Sequence, residues 1–237
     1  MWTVTAGFGS DGNNWYKIIE DRSYCEKQEG DTMRIPKHIG IIPDGNRRWA
    51  VGQGMEKKDG YVHGLTPGLD LLRAAKKAGI EEITYYGFTV DNCKRPKEQF
   101  AAFSKACVQA VELLKQEGAE LLVIGNSNSD CFPEELKEYT SRKCVNRGGI
   151  RLNFLVNYGW NWDLSHIAVD GKPWSSDISR IDMIIRWGGM VRLSGFLPIQ
   201  SVYADFYSIP HMWPQYQDSD LFQALSWYEK QDVTLGG

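Results

Sequence analysis

The chain has 237 residues, of which 42% are hydrophobic and 24% charged, and its formal net charge is −3. That length suits one large α/β domain or two small ones and can bury a sizeable core. The slight acidity excludes a general nucleic-acid surface, and no apolar run is long enough to cross a bilayer as a helix.

Residues 1–34 are polar and aromatic without periodicity, show no secretory signal, and read as an N-terminal arm ahead of one domain spanning 35–237. The apolar run 39–42 has the length of a buried strand and stops at Pro43. Asp44-Gly45-Asn46-Arg47-Arg48-Trp49 follows as the start of a helix. Free N–H groups and guanidiniums there suit an anion, and Gly45 lets a ligand come close to the backbone. The Asp44 carboxylate would repel a phosphate, and a Mg²⁺ between them resolves the conflict.

Residues 51–66 are rich in glycine and charge and read as a mobile segment. From it Lys57, Lys58 and Tyr61 could reach a phosphate. A helix over 67–78 and a strand over 83–88 follow. At the end of that strand Thr89, Val90, Asp91, Asn92, Cys93, Lys94 and Arg95 gather hydroxyl, carboxylate, amide and cations. The spacing of Phe100, Phe103, Cys107, Ala110, Val111 and Leu114 predicts an amphipathic helix over 97–117, with that stripe as core or pocket wall. Further strands are expected at 120–124, 150–156, 181–185 and 202–206, and another helix at 133–143. The alternation implies a mostly parallel sheet of about six strands flanked by helices. Asp44, the 89–96 cluster, Asn126, Asn157 and Arg186 all follow strand ends, where open parallel sheets bind ligands. No glycine-rich nucleotide motif is present. Five cysteines without a C-x-x-C pair read as reduced thiols of a cytoplasmic protein, and four scattered histidines give no zinc spacing.

The string Pro43-Asp44-Gly45-Asn46-Arg47-Arg48-Trp49-Ala50 resembles the signature of the cis-prenyltransferases, the undecaprenyl diphosphate synthase family. The resemblance resumes in Arg186-Trp187-Gly188-Gly189, Arg192-Leu193-Ser194, Tyr203-Ala204-Asp205-Phe206-Tyr207 and Trp213-Pro214, and so covers about residues 36–237. It implies the α/β fold of that family. It also implies Mg²⁺-dependent condensation of isopentenyl diphosphate with an allylic prenyl diphosphate to a cis-prenyl diphosphate. Carried across, Asp44 is the essential metal-binding carboxylate, and Gly45, Asn46, Arg47, Arg48 and Trp49 sit at the allylic diphosphate. Asn92 assists proton removal, and Arg95 orients phosphates. Arg186, Arg192, Leu193 and Ser194 hold isopentenyl diphosphate, and Asp205 is the second Mg²⁺ ligand. Relatives are homodimers, and peripheral membrane contact for product release is compatible with the absence of a spanning run.

Several positions depart from the family pattern. Tyr61 stands for a histidine and Lys57 for a frequent arginine. Thr89, Asp91 and Cys93 replace Ser, Glu and Trp, Trp187 replaces Thr, and the connection over 158–182 is short. These departures keep irregular, head-to-middle coupling or cyclisation on the same scaffold as an alternative, with a non-catalytic prenyltransferase subunit as a second.

Overall fold

The computed structural model describes residues 34–147 and 149–232, so the expected arm over 1–34 lies almost wholly outside the described residues. From Ile35 onward the chain forms one unit. Its strands are β1 (His38–Ile42), β2 (Glu82–Thr89), β3 (Ala119–Ile124), β4 (Lys143–Val145), β5 (Ile150–Tyr158), β6 (Met183–Arg186) and β7 (Asp205–Ser208). They make one seven-stranded sheet in the order β4-β3-β5-β2-β1-β6-β7. Every pairing is parallel except that of β4 with β3. The helices are α1 (Asn46–Gly52), α2 (Leu65–Ala78), α3 (Lys97–Lys115), α4 (Trp160–Ser165), α5 (Ile167–Asp170) and α6 (Asp218–Tyr228).

Period-two alternation decides what each strand residue does. Ile39 and Ile41 of β1, Ile83 and Tyr85 of β2, and Met183, Ile185 and Trp187 along β6 face a large core with Leu71, Leu72, Val111, Leu114, Leu221 and Leu225. Ile42, Tyr86, Leu155 and Ile184 face a second cluster closed by Phe196 and Leu197. Arg186 shares that second face, because it is one residue from Ile185 and two from Ile184. In β2 the register with β5 slips between Tyr86 and Phe88 and again between Phe88 and Thr89. Gly87 sits in this irregularity, where added backbone freedom costs no packing.

Three expectations are corrected. The sheet has seven strands, because the span expected as a helix over 133–143 divides: Glu134–Tyr139 is one 3₁₀ turn and Lys143–Val145 pairs antiparallel with β3. Arg142 anchors that edge, donating to the Glu120 carbonyl at 3.0 Å and to Asn153 Oδ1 at 2.9 Å. The last strand is Asp205–Ser208 rather than 202–206, and Val202 and Tyr203 are exposed. The segment 51–66 contains a 3₁₀ turn, Asp59–Gly64, with Gly60 and Tyr61 buried. It packs so closely that a Cβ on Gly60 would stand 2.2 Å from the Asn46 carbonyl oxygen. The connection over 158–182 carries only the short α4 and α5 and a 3₁₀ turn, Trp174–Asp177.

At the end of the sheet opposite the strand C-termini lies a buried polar network. His38, 1% exposed, shares a 2.8 Å hydrogen bond between Nε2 and Thr84 Oγ1. Glu82 accepts from Asn153 Nδ2 at 2.7 Å and from Arg151 Nη1 at 3.2 Å. Burial pulls the His38 ring below its ordinary value, against the opposing charge of Glu82 and the nearby carbonyls. A pKa lower in the folded chain than in the unfolded one favours folding above about pH 6.5, and that stabilisation is lost as pH falls toward the folded value. The unfolding free energy should therefore drop between pH 7 and 5, by no more than about 1.4 kcal/mol per pH unit from this group. His38→Gln should flatten that slope in urea titrations at the two pH values.

Candidate active site

β1, β2 and β6 end side by side, and a cavity of about 400 Å³ opens over their C-terminal ends. That is where an open parallel sheet binds ligands. Four guanidiniums line it, from Arg47, Arg48, Arg95 and Arg186, against two carboxylates, Asp44 and Asp91. Asp91 is already paired with Lys94 at 2.7 Å. The wall is completed by Gly45, Asn46, Tyr61, Thr89, Asn92 and Ser194, and by Ile42, Pro43, Tyr86, Gly87 and Phe103.

At its centre Arg186 Nη2 donates to Asp44 Oδ2 at 2.8 Å, and Arg48 Nη2 stands 3.5 Å from the same oxygen. The other arm of Arg186 donates to Ser194 Oγ at 2.9 Å and to the Arg192 carbonyl. The Arg186 side chain is 5% exposed, and its Nε is buried without a partner. Burial pushes the Asp44 carboxyl up. The hydrogen bond and charge of Arg186, the charge of Arg48 and the Gly45 N–H outweigh it and hold the group below the usual carboxylate value, so it is ionised. Gly45 supplies the turn into α1 with φ +105°, and a Cβ there would come 2.6 Å from Met212 Sδ. Glycine is therefore required on both counts.

Tyr61 forms the opposite wall. Its hydroxyl accepts from Arg95 Nη1 at 2.8 Å, and its ring stacks on Phe103 with centroids 4.4 Å apart. The Arg95 guanidinium also lies 5.0 Å from the Phe103 centroid. Burial raises the phenol against the charges of Arg95 and Arg47, so Tyr61 keeps its proton. Asn92 caps the turn Val90–Lys94: its Oδ1 accepts from the Thr89 N–H at 3.0 Å. One lone pair of Oδ1 and the Nδ2 donors are left to meet a ligand.

Not every expected residue reaches the cavity. Trp49 packs on His63 at 4.7 Å, Lys57 is exposed, and Val90 packs over Gly159. The Cys93 thiol donates to Asn157 Oδ1 at 3.2 Å and is pushed up to about 12, by burial first and then by Cys131. Arg192 and Leu193 are exposed at the rim, and only the Arg192 carbonyl joins the site through Arg186. Asn126 and Asn157 bond each other's backbone instead of a ligand. Asp205 opens β7 opposite Met183, while Arg186 is level with Ser208. Three residues at about 3.3 Å each put Asp205 about 10 Å back along the sheet, two strands from β1. Within one chain it cannot share a metal with Asp44. The two expected phosphate cradles prove to be one cavity, joined through the Asp44–Arg186 pair. Tyr86 and Gly87 are lining residues that the sequence did not single out, while Phe103 belongs to the stripe read as core or pocket wall. The signal for Tyr86 is position: it lies on the β1–β2–β6 face opposite Tyr85.

A smaller apolar compartment adjoins the cavity and shares Pro43, Asn46, Tyr61, Tyr86, Gly87 and Phe103 with it. It lies between the sheet and the helices α2 and α3, lined by Leu65 and Gly68 and by Cys107, Ala110 and Leu114.

A charged cavity opening into an apolar one suits a ligand with an anionic head and a hydrocarbon tail. Comparison with known proteins agrees. The profile of the family described as "Putative undecaprenyl diphosphate synthase" matches residues 42–236, and the chain belongs to this family of prenyltransferases. The ditrans,polycis-undecaprenyl-diphosphate synthase ((2E,6E)-farnesyl-diphosphate specific) of Vibrio parahaemolyticus is 27% identical, with 85% of this chain and 91% of the relative covered. An isoprenyl transferase of Chlorobaculum tepidum is 28% identical, with 94% of each chain covered. The fold matches the crystal structure of lavandulyl diphosphate synthase from Lavandula x intermedia in complex with dimethylallyl diphosphate. That match has a TM-score of 0.70 and 22% identity, and it covers 86% of this chain and 99% of the other.

The position of Asn92 predicts a separation of two effects. Asn92→Ala removes the cap and should lower stability by about 1 kcal/mol. Asn92→Asp keeps an acceptor for the Thr89 N–H and should hold the melting temperature, yet it places a negative charge on the phosphate wall and should raise KM at least tenfold. An Asn92→Asp enzyme with normal KM would confine Asn92 to capping.

Proposed function

We propose that the protein condenses isopentenyl diphosphate with an allylic prenyl diphosphate, with Mg²⁺, to give a cis-prenyl diphosphate. The observation that carries this reading is the continuity of the four-guanidinium cavity with the apolar compartment, which is sized and charged for a diphosphate head and a prenyl tail. The residues present fit the metal. Asp44 is ionised, about one-third exposed and set among cations that a diphosphate would also meet, and Mg²⁺ takes one or two carboxylates with substrate phosphates as further ligands. When bound there, Mg²⁺ neutralises charge developing on a departing diphosphate.

The chain's own groups do the rest. Arg47, Arg48 and Arg95 gather around the allylic diphosphate, and Arg186 with Ser194 holds that of isopentenyl diphosphate. Fixing both heads in one cavity brings the alkene against the allylic carbon without a bimolecular search. Tyr61, Phe103 and Tyr86 shield that carbon from water. Neither Asn92 nor Tyr61 serves as the base for the proton released on coupling, since a neutral amide and a phenol that keeps its proton are both very weak bases. A diphosphate oxygen of the substrate is the acceptor that remains close by.

Irregular coupling on the same scaffold is a second reading, favoured by Tyr61, whose phenol replaces an imidazole and ties itself to Arg95. NMR of the product separates the two. The intact Asp44–Arg48 string, folded into a cation-lined cavity, disfavours a non-catalytic subunit. The domain from 35 onward is the catalytic one. A cytoplasmic location accords with the described cysteines, which are all free. No helix among the described residues is long and apolar enough to cross a membrane.

Labelled isopentenyl diphosphate offered with a panel of allylic primers and Mg²⁺ should give a chain-extended diphosphate. No product from any primer would overturn the transfer reading. Asp44→Ala should lower kcat by 10²–10³-fold, the scale of losing one electrostatic stabiliser, while prenyl diphosphate still binds. Val191, Val202 and Tyr203 are 78%, 66% and 52% exposed on neighbouring loops. Covering them between two copies is the basis for a homodimer, and sedimentation should return twice the 27.0 kDa chain mass.

A further inference from the structure

The apolar compartment holds about 90 Å³, less than a quarter of the charged cavity. A cavity of about 150 Å³ accommodates a six-carbon ring, or roughly 25 Å³ per carbon. On that scale 90 Å³ takes about four carbons, the bulk of one isoprene unit, whereas a fifteen-carbon tail needs several times as much. Length is not what is missing. Phe103 and Leu114 both line the compartment and lie eleven residues apart on α3, about 16 Å at 1.5 Å per residue. Width is missing, because large side chains fill the slot.

At the neck, the Tyr61 ring lies nearly parallel to Phe103, tilted 13°, and is held by Arg95 through its hydroxyl. Phe103 is further boxed in by Phe88, with centroids 5.6 Å apart. At the floor, Tyr85 stacks on Phe154 at 5.4 Å, and its hydroxyl is pinned to the Gly68 carbonyl at 2.8 Å. Leu114, 2% exposed, lines the compartment at the end of α3 away from Phe103. The Tyr61 and Tyr85 hydroxyls are both hydrogen-bonded, so neither ring swings aside without breaking a bond, and Phe103 packs against both Tyr61 and Phe88.

We infer that this compartment selects a five-carbon allylic diphosphate as primer, with Phe103 at the neck and Leu114 at the far end as the residues that set the limit. The inference rests on the prenyl-transfer reading above and narrows its substrate class. Longer primers are rejected because their second and third isoprene units have no volume to enter, and chain growth stops after one condensation for the same reason.

The test compares primers in two ways, using the full chain with Mg²⁺. Turnover with isopentenyl diphosphate should show kcat/KM for dimethylallyl diphosphate at least tenfold above that for farnesyl diphosphate, and a ten-carbon product. Binding of the non-reacting thiolodiphosphate analogues of the same two primers, measured by calorimetry, should follow the same order. Leu114→Ala should move the primer ratio at least tenfold toward the longer substrate and lengthen the product, and Phe103→Ala should act in the same direction. A Leu114→Ala protein that unfolds leaves Leu114→Val, with a smaller shift of the same sign, to carry the test. Farnesyl analogue binding as tightly as the dimethylallyl analogue would overturn the inference, as would folded variants with an unchanged primer ratio. If no primer is turned over while binding still favours the five-carbon analogue, the size limit stands and the transfer reading falls.

Discussion

The buried guanidinium of Arg186 is the constraint around which the molecule is arranged. A cation this well shielded is costly unless its charge is met and its N–H groups are used. Asp44 meets the charge, while Ser194 and the Arg192 carbonyl use the second arm. These contacts reach from the end of β6 to the end of β1 and into the loop over 187–204. The same bonds that close the sheet's middle also assemble the site. They leave Asp44 ionised with its side chain about one-third exposed, and Arg186 with one buried N–H still unspent. A diphosphate entering this cavity exchanges one anion for another around a guanidinium that is already fixed, so little reorganisation is needed on binding.

The second organising feature is the division of labour between the two compartments. Charge is concentrated over the strand ends, and apolar surface lies along α3, with Tyr61 and Phe103 at the boundary. Tyr61 belongs to both. Its hydroxyl is part of the cationic wall through Arg95, and its ring is part of the apolar neck. A phenol that keeps its proton serves this double position well, because a charged ring at the neck would be desolvated by the tail it must admit.

The opposite end of the sheet carries another buried polar cluster, His38 with Thr84, Glu82, Asn153 and Arg151. Its hydrogen bonds are made within the cluster and to neighbouring carbonyls. Its physical effect is on register. A one-residue slip of β1 against β2 would take His38 away from Thr84 and would turn Ile39 and Ile41 off the main core. The register that seats His38 also sets Ile42 level with Arg186, which places Asp44 within reach of the guanidinium.

Much of this was legible along the chain because it is local. The apolar run 39–42, the glycine at 45, the α3 stripe and the cluster after β2 are each written in a few consecutive residues, and strand, turn and helix chemistry reads them directly. Strand-end placement alone singled out Arg186, and the family resemblance added Ser194, which also lines the cavity, and Asp205, which does not. The antiparallel edge strand at Lys143–Val145 was missed because three residues carry too little pattern to compete with a helix signal beside them. What the tertiary structure alone decided is which of the separated polar groups meet. Asp44 and Arg186 are 142 positions apart and share an oxygen at 2.8 Å, while Asn126, Asn157 and Asp205, equally well placed by sequence, turn elsewhere. Strand order, strand register and the irregularity at Gly87 govern that choice. They are set by packing of the whole sheet rather than by any single segment, and so the width of the apolar slot also emerges only when the sheet and α3 have come together.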